Sequence, residues 1–210
     1  MEISTGDIFE VEGNFYLLVS QSCDTYLRKN GERKLKFGNL LKIDSQIASI
    51  EYKYKLSCFQ EYEKPIVLYQ EQVNIPFDML DLCVLNCDGQ AKIEVECLDN
   101  SEKLILQRYT PNFGVRIKTV IDTLKQVYES KMIMTKYWES SSDISDECAK
   151  NAYETMINVD PYLKKFEIID NELIYPVKRV CRLSELVAID IVRQYGVTLS
   201  RIGHPFDFSN

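Results

Sequence analysis

The densest chemistry in the chain stands in Gln21-Ser22-Cys23-Asp24, with Arg28 just beyond, at the end of the apolar run Phe15-Tyr16-Leu17-Leu18-Val19. A strand end displays a thiol, a carboxylate and a guanidinium rigidly, and a thiol beside a cation or a base is a nucleophile. Cys23, Asp24 and Arg28 are therefore the catalytic candidates. The base is the difficulty, because the single histidine, His204, stands far along the chain in Arg201-Ile202-Gly203-His204-Pro205. A Cys23–His204 dyad requires that segment to fold back over the N-terminal half. The plainer reading has Ser22 and Asp24 bonding the backbone of a turn while Cys23 packs inward.

A second cluster is basic. Lys178, Arg179 and Arg182 are followed by Arg193 and Arg201, five basic against two acidic residues over 174–201. Such a stretch binds an acidic protein face or nucleic acid, or is neutralised within the chain. Residues 1–100 carry 10 Lys/Arg against 17 Asp/Glu, the remainder 15 of each, for a net charge of −7. The acidic excess of the first half argues against gripping a phosphate backbone. An intramolecular or protein-partner role is favoured over nucleic acid.

Other groups point to structure. The seven cysteines (23, 58, 83, 87, 97, 148, 181) contain no C-x-x-C pair, and Cys83 and Cys87 on a strand-like run read as core. Asp78 and Asp81 have no third ligand nearby and read as helix or turn caps; Asp7 reads as a strand-entry turn. Tyr52, Tyr54, Tyr62 and Tyr69 are spaced to form an aromatic strip. There is no Gly-rich phosphate loop, H-E-x-x-H or G-x-S-x-G, so no metal or cofactor is expected.

The elements that position these groups change character along the chain. Residues 7–19 read as a hairpin about Glu12-Gly13-Asn14, its second strand apolar throughout as if covered on both faces. Asn30-Gly31 signals a further hairpin. Strands follow at 35–37 and 40–43, broken by Gly38-Asn39, then at 47–56, 66–69, 80–85 and 91–98. From Thr110-Pro111 a helix buries Ile117, Val120, Ile121, Leu124, Val127 and Tyr128. A loop at 140–143, a helix over 145–158, a hairpin over 166–175 about Asp170-Asn171, and a helix from Ser184 to Tyr195 capped by Gly196 complete the reading. This is an α+β chain, with a β-rich, barrel-like domain over 1–108 and a mostly helical region over 109–210 packing on it.

The opening Gly6-Asp7-Ile8-Phe9, leading through a hairpin to Leu17-Leu18-Val19-Ser20, resembles the start of the SH3-like barrel of the MazF/PemK toxins. That resemblance implies an N-terminal SH3-like antiparallel barrel and an endoribonuclease. The family's arginine before the second strand is replaced here by Gly13 and Asn14, so its catalytic residue does not carry over. The opening, Gln-Ser-Cys-Asp and the helical second half together are also similar to uncharacterised bacterial proteins. With 45% hydrophobic and 27% charged residues, no apolar run of membrane-spanning length and no signal-like start, the chain reads as globular and cytoplasmic. The function expected is a non-enzymatic bacterial protein-interaction module within a multi-gene system such as phage defence. The alternative is a toxin-like endoribonuclease or a Cys23-dependent enzyme.

Overall fold

The computed structural model describes residues 2–45, 53–56, 59, 62–104, 108–140 and 161–202. In chain order the elements are β1 (Asp7–Val11), β2 (Asn14–Leu18), α1 (Ser22–Thr25), β3 (Phe37–Asp44), β4 (Lys53–Lys55), β5 (Ile66–Pro76) and α2 (Phe77–Leu85). They continue with β6 (Gln90–Glu94), α3 (Val95–Asp99), a 3-10 turn (Ser101–Lys103), α4 (Pro111–Ser140), α5 (Pro161–Lys164), β7 (Glu167–Ile169), β8 (Glu172–Arg182) and α6 (Glu185–Ile202). The chain is α+β, with an N-terminal antiparallel sheet and most helices later. It forms two compact units that interleave in sequence: Met1–Tyr26, Arg33–Ala91 and Pro176–Asn210 make one, Leu27–Glu32 and Lys92–Tyr175 the other.

In the first unit the strands run in the order β4-β5-β3-β2-β1-β8. No described pairing joins β4 to β8, so the sheet is open where a barrel was expected. The hairpin between β1 and β2 turns on Glu12 and Gly13, both at positive φ (50° and 78°), the geometry whose twist matches paired strands. Ile8, Leu17, Leu41, Ile43, Val67 and Tyr69 form one core cluster with Ile191 and Tyr195 of α6. Leu18, one residue on from Leu17, faces the other way, toward Phe77 and Leu80 of α2. Both faces are therefore covered, which is why the β2 run is apolar without alternation.

Gly38 belongs to that second face. A Cβ there would stand 2.9 Å from Leu18 Cδ1 and 3.0 Å from Leu80 Cδ1. The glycine does not break the strand: β3 runs through it because α2 packs too closely for a side chain. α2 is itself a correction, since residues 80–85 read as a strand. Seven of its nine residues are buried, so no 3.6-residue stripe separates it from a buried strand. The alternation over 91–98 likewise ends at Glu94, where α3 begins. The Asn30-Gly31 turn forms, with Gly31 N–H donating to Arg28 O at 2.9 Å, but no strands flank it.

In the second unit, the Thr110 hydroxyl accepts from Phe113 N–H at 3.3 Å and starts α4, which buries Phe113, Ile117, Val120, Ile121, Leu124 and Val127. The β7–β8 hairpin turns on Asp170 and Asn171 as expected, at φ 50° and 67°. β8 then continues past Tyr175 to Arg182. The expected loop at 141–143, helix over 145–158 and strand at 47–52, together with Tyr52, Cys58, Cys148 and His204, lie outside the described residues. Among the described residues, no helix is long and apolar enough to cross a membrane.

α6 buries Ala188, Ile191 and Tyr195 against the sheet and runs on to Ile202, straight through Gly196, which was expected to cap it. A Cβ at Gly196 meets nothing within 4 Å. Gly196→Ala should therefore raise stability by about 0.5–1 kcal/mol, read in thermal or urea unfolding. A loss of stability would instead put Gly196 in the left-handed cap conformation.

Candidate functional site

The basic cluster is divided by the geometry of β8. Its pairing with β1 sets Asp7 opposite Arg182, Ile8 opposite Cys181 and Phe9 opposite Arg179, leaving Val180 as the extra residue of a β-bulge. Residues three apart on a regular strand point to opposite faces. The bulge brings Arg179 and Arg182 to the same carboxylate. Arg179 donates to Asp7 Oδ1 from Nη2 at 2.7 Å, and Arg182 from Nε at 2.6 Å. Arg182 Nη2 also reaches Asp7 Oδ2 (3.0 Å) and Glu2 O (2.5 Å). Asp7 is fully buried, and its Oδ2 accepts from Ser4 N–H at 2.8 Å, so it does form the strand-entry turn.

Of the remaining candidates, Lys178 is exposed on β8, opposite Glu10 in register, and borders a recess of about 170 Å³ with Glu12, Gly13 and Pro176. Arg201 lies in the last turn of α6, with its side chain outside the described residues. Arg193 is exposed at the middle of α6. The company it keeps distinguishes it. At 3.6 residues per turn, Leu186, Ile189, Arg193 and Val197 share the outward face, opposite Ala188, Ile191, Tyr195 and Thr198. Leu186 is 82%, Ile189 56% and Val197 46% exposed. α6 is thus apolar on both faces.

The edge of this strip is fixed by polar contacts to the sheet. Asp190 Oδ2 accepts from Tyr54 O–H at 3.0 Å and from Gln194 Nε2 at 3.1 Å. Burial first, then the bond to Asp190, raises the Tyr54 phenol above its ordinary pKa. Tyr195 O–H donates to Gln72 Oε1 at 2.7 Å, and its ring packs 5.7 Å from that of Tyr69. Burial pushes the Tyr69 phenol up strongly. Tyr62 instead meets Phe15 and Phe59, so among the described residues it stands apart from Tyr69 rather than in one strip with it.

Ser22, Cys23 and Asp24 lie in the short helix α1, with Gln21 just before it. Cys23 is exposed rather than packed inward, with Sγ 3.6 Å from Asp24 Oδ1 and 3.7 Å from Gln21 Oε1. Asp24 also meets Lys34 Nζ at 3.4 Å, and Arg28 belongs to the other compact unit. Cys83 and Cys97 are buried, and burial raises both thiol pKa values; Cys87 and Cys181 are exposed. Among the described residues, no group of three or more His, Cys, Asp or Glu side chains is placed to hold a metal ion.

Asp81 corrects its reading as a cap. It is buried in α2 and bound by Arg33, Nη1 to Oδ2 at 2.5 Å and Nη2 to Oδ1 at 2.7 Å. Arg33 also donates from Nε to Thr25 O at 2.8 Å and lies 4.7 Å over the Phe77 ring. Sequence reasoning missed this pair, whose partners are 48 residues apart, and it missed the outward strip of α6. The strip did leave a signal: Leu186, Ile189 and Val197 are apolar out of phase with the buried Ile191 and Tyr195. No family model, curated protein or solved structure matches the chain.

Proposed function

We propose that the chain is a non-enzymatic protein-interaction module, a cytoplasmic bacterial component of a multi-gene system such as phage defence, and that it makes contact through the outward face of α6. The observation that carries this reading is the strip Leu186, Ile189, Val197 around Arg193. A single exposed leucine is ordinary, whereas an apolar stripe along one helix, with a guanidinium at its centre, has the composition of an interface. Covering apolar surface is worth about 25 cal/mol per Å². One helix face falls short of the roughly 800 Å² per partner of a standard interface, so the contact belongs to the transient class. Five cysteines among the described residues stand outside any disulfide, which suits a reducing compartment.

The test is recovery of the tagged chain from its native cells beside Leu186→Asp/Val197→Asp. With the cells crosslinked before lysis, as a transient contact requires, the expected result is a protein partner held by the parent chain and lost by the double variant at an unchanged melting temperature. A partner retained by the variant contradicts the reading. So does recovery of RNA that is then cleaved, which moves the assignment to the nuclease.

A further inference from the structure

The spacing of charge and apolar side chains on α6 carries one step more. Leu186 and Val197 lie at the two ends of the outward face; between them lie exposed Arg193 and, at the edge that meets the sheet, half-buried Asp190. The midpoint of Leu186 and Val197 falls between Ile191 and Val192, and so does the midpoint of Asp190 and Arg193. A two-fold axis through that point sets a second α6 antiparallel to the first. Leu186 then meets Val197 of the other copy, and Asp190 meets Arg193, each contact occurring twice. The matched ends are about 16 Å apart along the helix at 1.5 Å per residue.

The side chains are prepared for this. Tyr54 and Gln194 hold the Asp190 carboxylate through Oδ2, and no described contact uses Oδ1. No described contact engages the Arg193 guanidinium. Buried unpaired, that cation would oppose any apolar contact made by its neighbours. The register centred on Arg193 itself brings two guanidiniums together and is disfavoured. The register centred between 191 and 192 neutralises both.

We propose that the occupant of the α6 face is a second copy of this chain, paired antiparallel through Leu186–Val197 and Asp190–Arg193 contacts. This rests on the reading of α6 as a docking face and names its partner. The test is sedimentation velocity from 10 to 500 µM of the parent chain, of Arg193→Asp, of Asp190→Arg, and of the two variants mixed in equal amounts. The parent should dimerise, and each variant alone should bind itself at least tenfold more weakly. The mixture should recover to within about threefold of the parent, because the two carboxylates of the Arg193→Asp chain then face the two guanidiniums of the Asp190→Arg chain. Melting curves of both variants show that each is folded. If Asp190→Arg unfolds for want of the Tyr54 bond, exposed Leu186→Glu and Val197→Lys, each alone and then mixed, test the same register with Asp190 left intact.

A parent chain monomeric throughout this range overturns the proposal, as does a dimer that the variants leave intact or a mixture without recovery. Where the parent is monomeric yet Leu186→Asp/Val197→Asp loses a different protein from native cells, the pairing is wrong and the docking face stands. Where neither association nor capture responds to changes on α6, both are wrong.

Discussion

Asp7→Ala should cost about 3–5 kcal/mol, a large part of the 5–15 kcal/mol that a domain has to lose. The carboxylate has no exposed surface and accepts from Arg179, from Arg182 and from the Ser4 backbone. Its removal leaves two half-buried guanidiniums facing each other across a β-bulge, with the compensating charge gone. Asp7→Asn keeps one acceptor and should cost less. Glu10→Ala, on the same strand opposite exposed Lys178 in register, should cost no more than about 1 kcal/mol, the ceiling for an exposed charge pair. Urea unfolding of the three variants gives the ranking. An Asp7→Ala effect as small as that of Glu10→Ala would mean the arginines are free, and the basic cluster would again be one surface.

The second large effect is at Arg33 and Asp81, whose side chains are 1% and 0% exposed. Asp81→Leu alone strands a buried guanidinium, and Arg33→Met alone strands a buried carboxylate, so each should cost about 3–5 kcal/mol. The Arg33→Met/Asp81→Leu pair should recover most of that loss, because desolvation of the two ions cancels much of their attraction. The prediction is therefore a coupling energy of several kcal/mol from a double-mutant cycle. Additive losses would show that Arg33 is held by Thr25 O and the Phe77 ring instead.

These two pairs show what the sequence exposes and what it hides. The α+β class, the β1–β2 and β7–β8 hairpins and α4 were legible because each has a local signal: a turn pair at positive φ, a capping threonine, a 3.6-residue stripe. α2 was not, because an element buried all round has no period. Gly38 looked like a break because the reason for a glycine there lies in α2, some forty residues on. The basic cluster was legible as charge but not as a division of labour. Only the bulge at Val180 decides that Arg179 and Arg182 turn to Asp7, and a bulge has no composition of its own. The outward strip of α6 had its residues in plain view, hidden by the habit of fitting one apolar face per helix.

The most direct measurement on that strip is photo-crosslinking in native cells. A photoreactive residue is placed in turn at Leu186, Ile189, Val197 and, as the alternative contact, Lys178. A docking face on α6 predicts one protein adduct of the same mass from the three α6 positions, absent from Lys178 and lost when Arg193→Asp is added. Adducts from Lys178 alone, or adducts to RNA from any position, would contradict it.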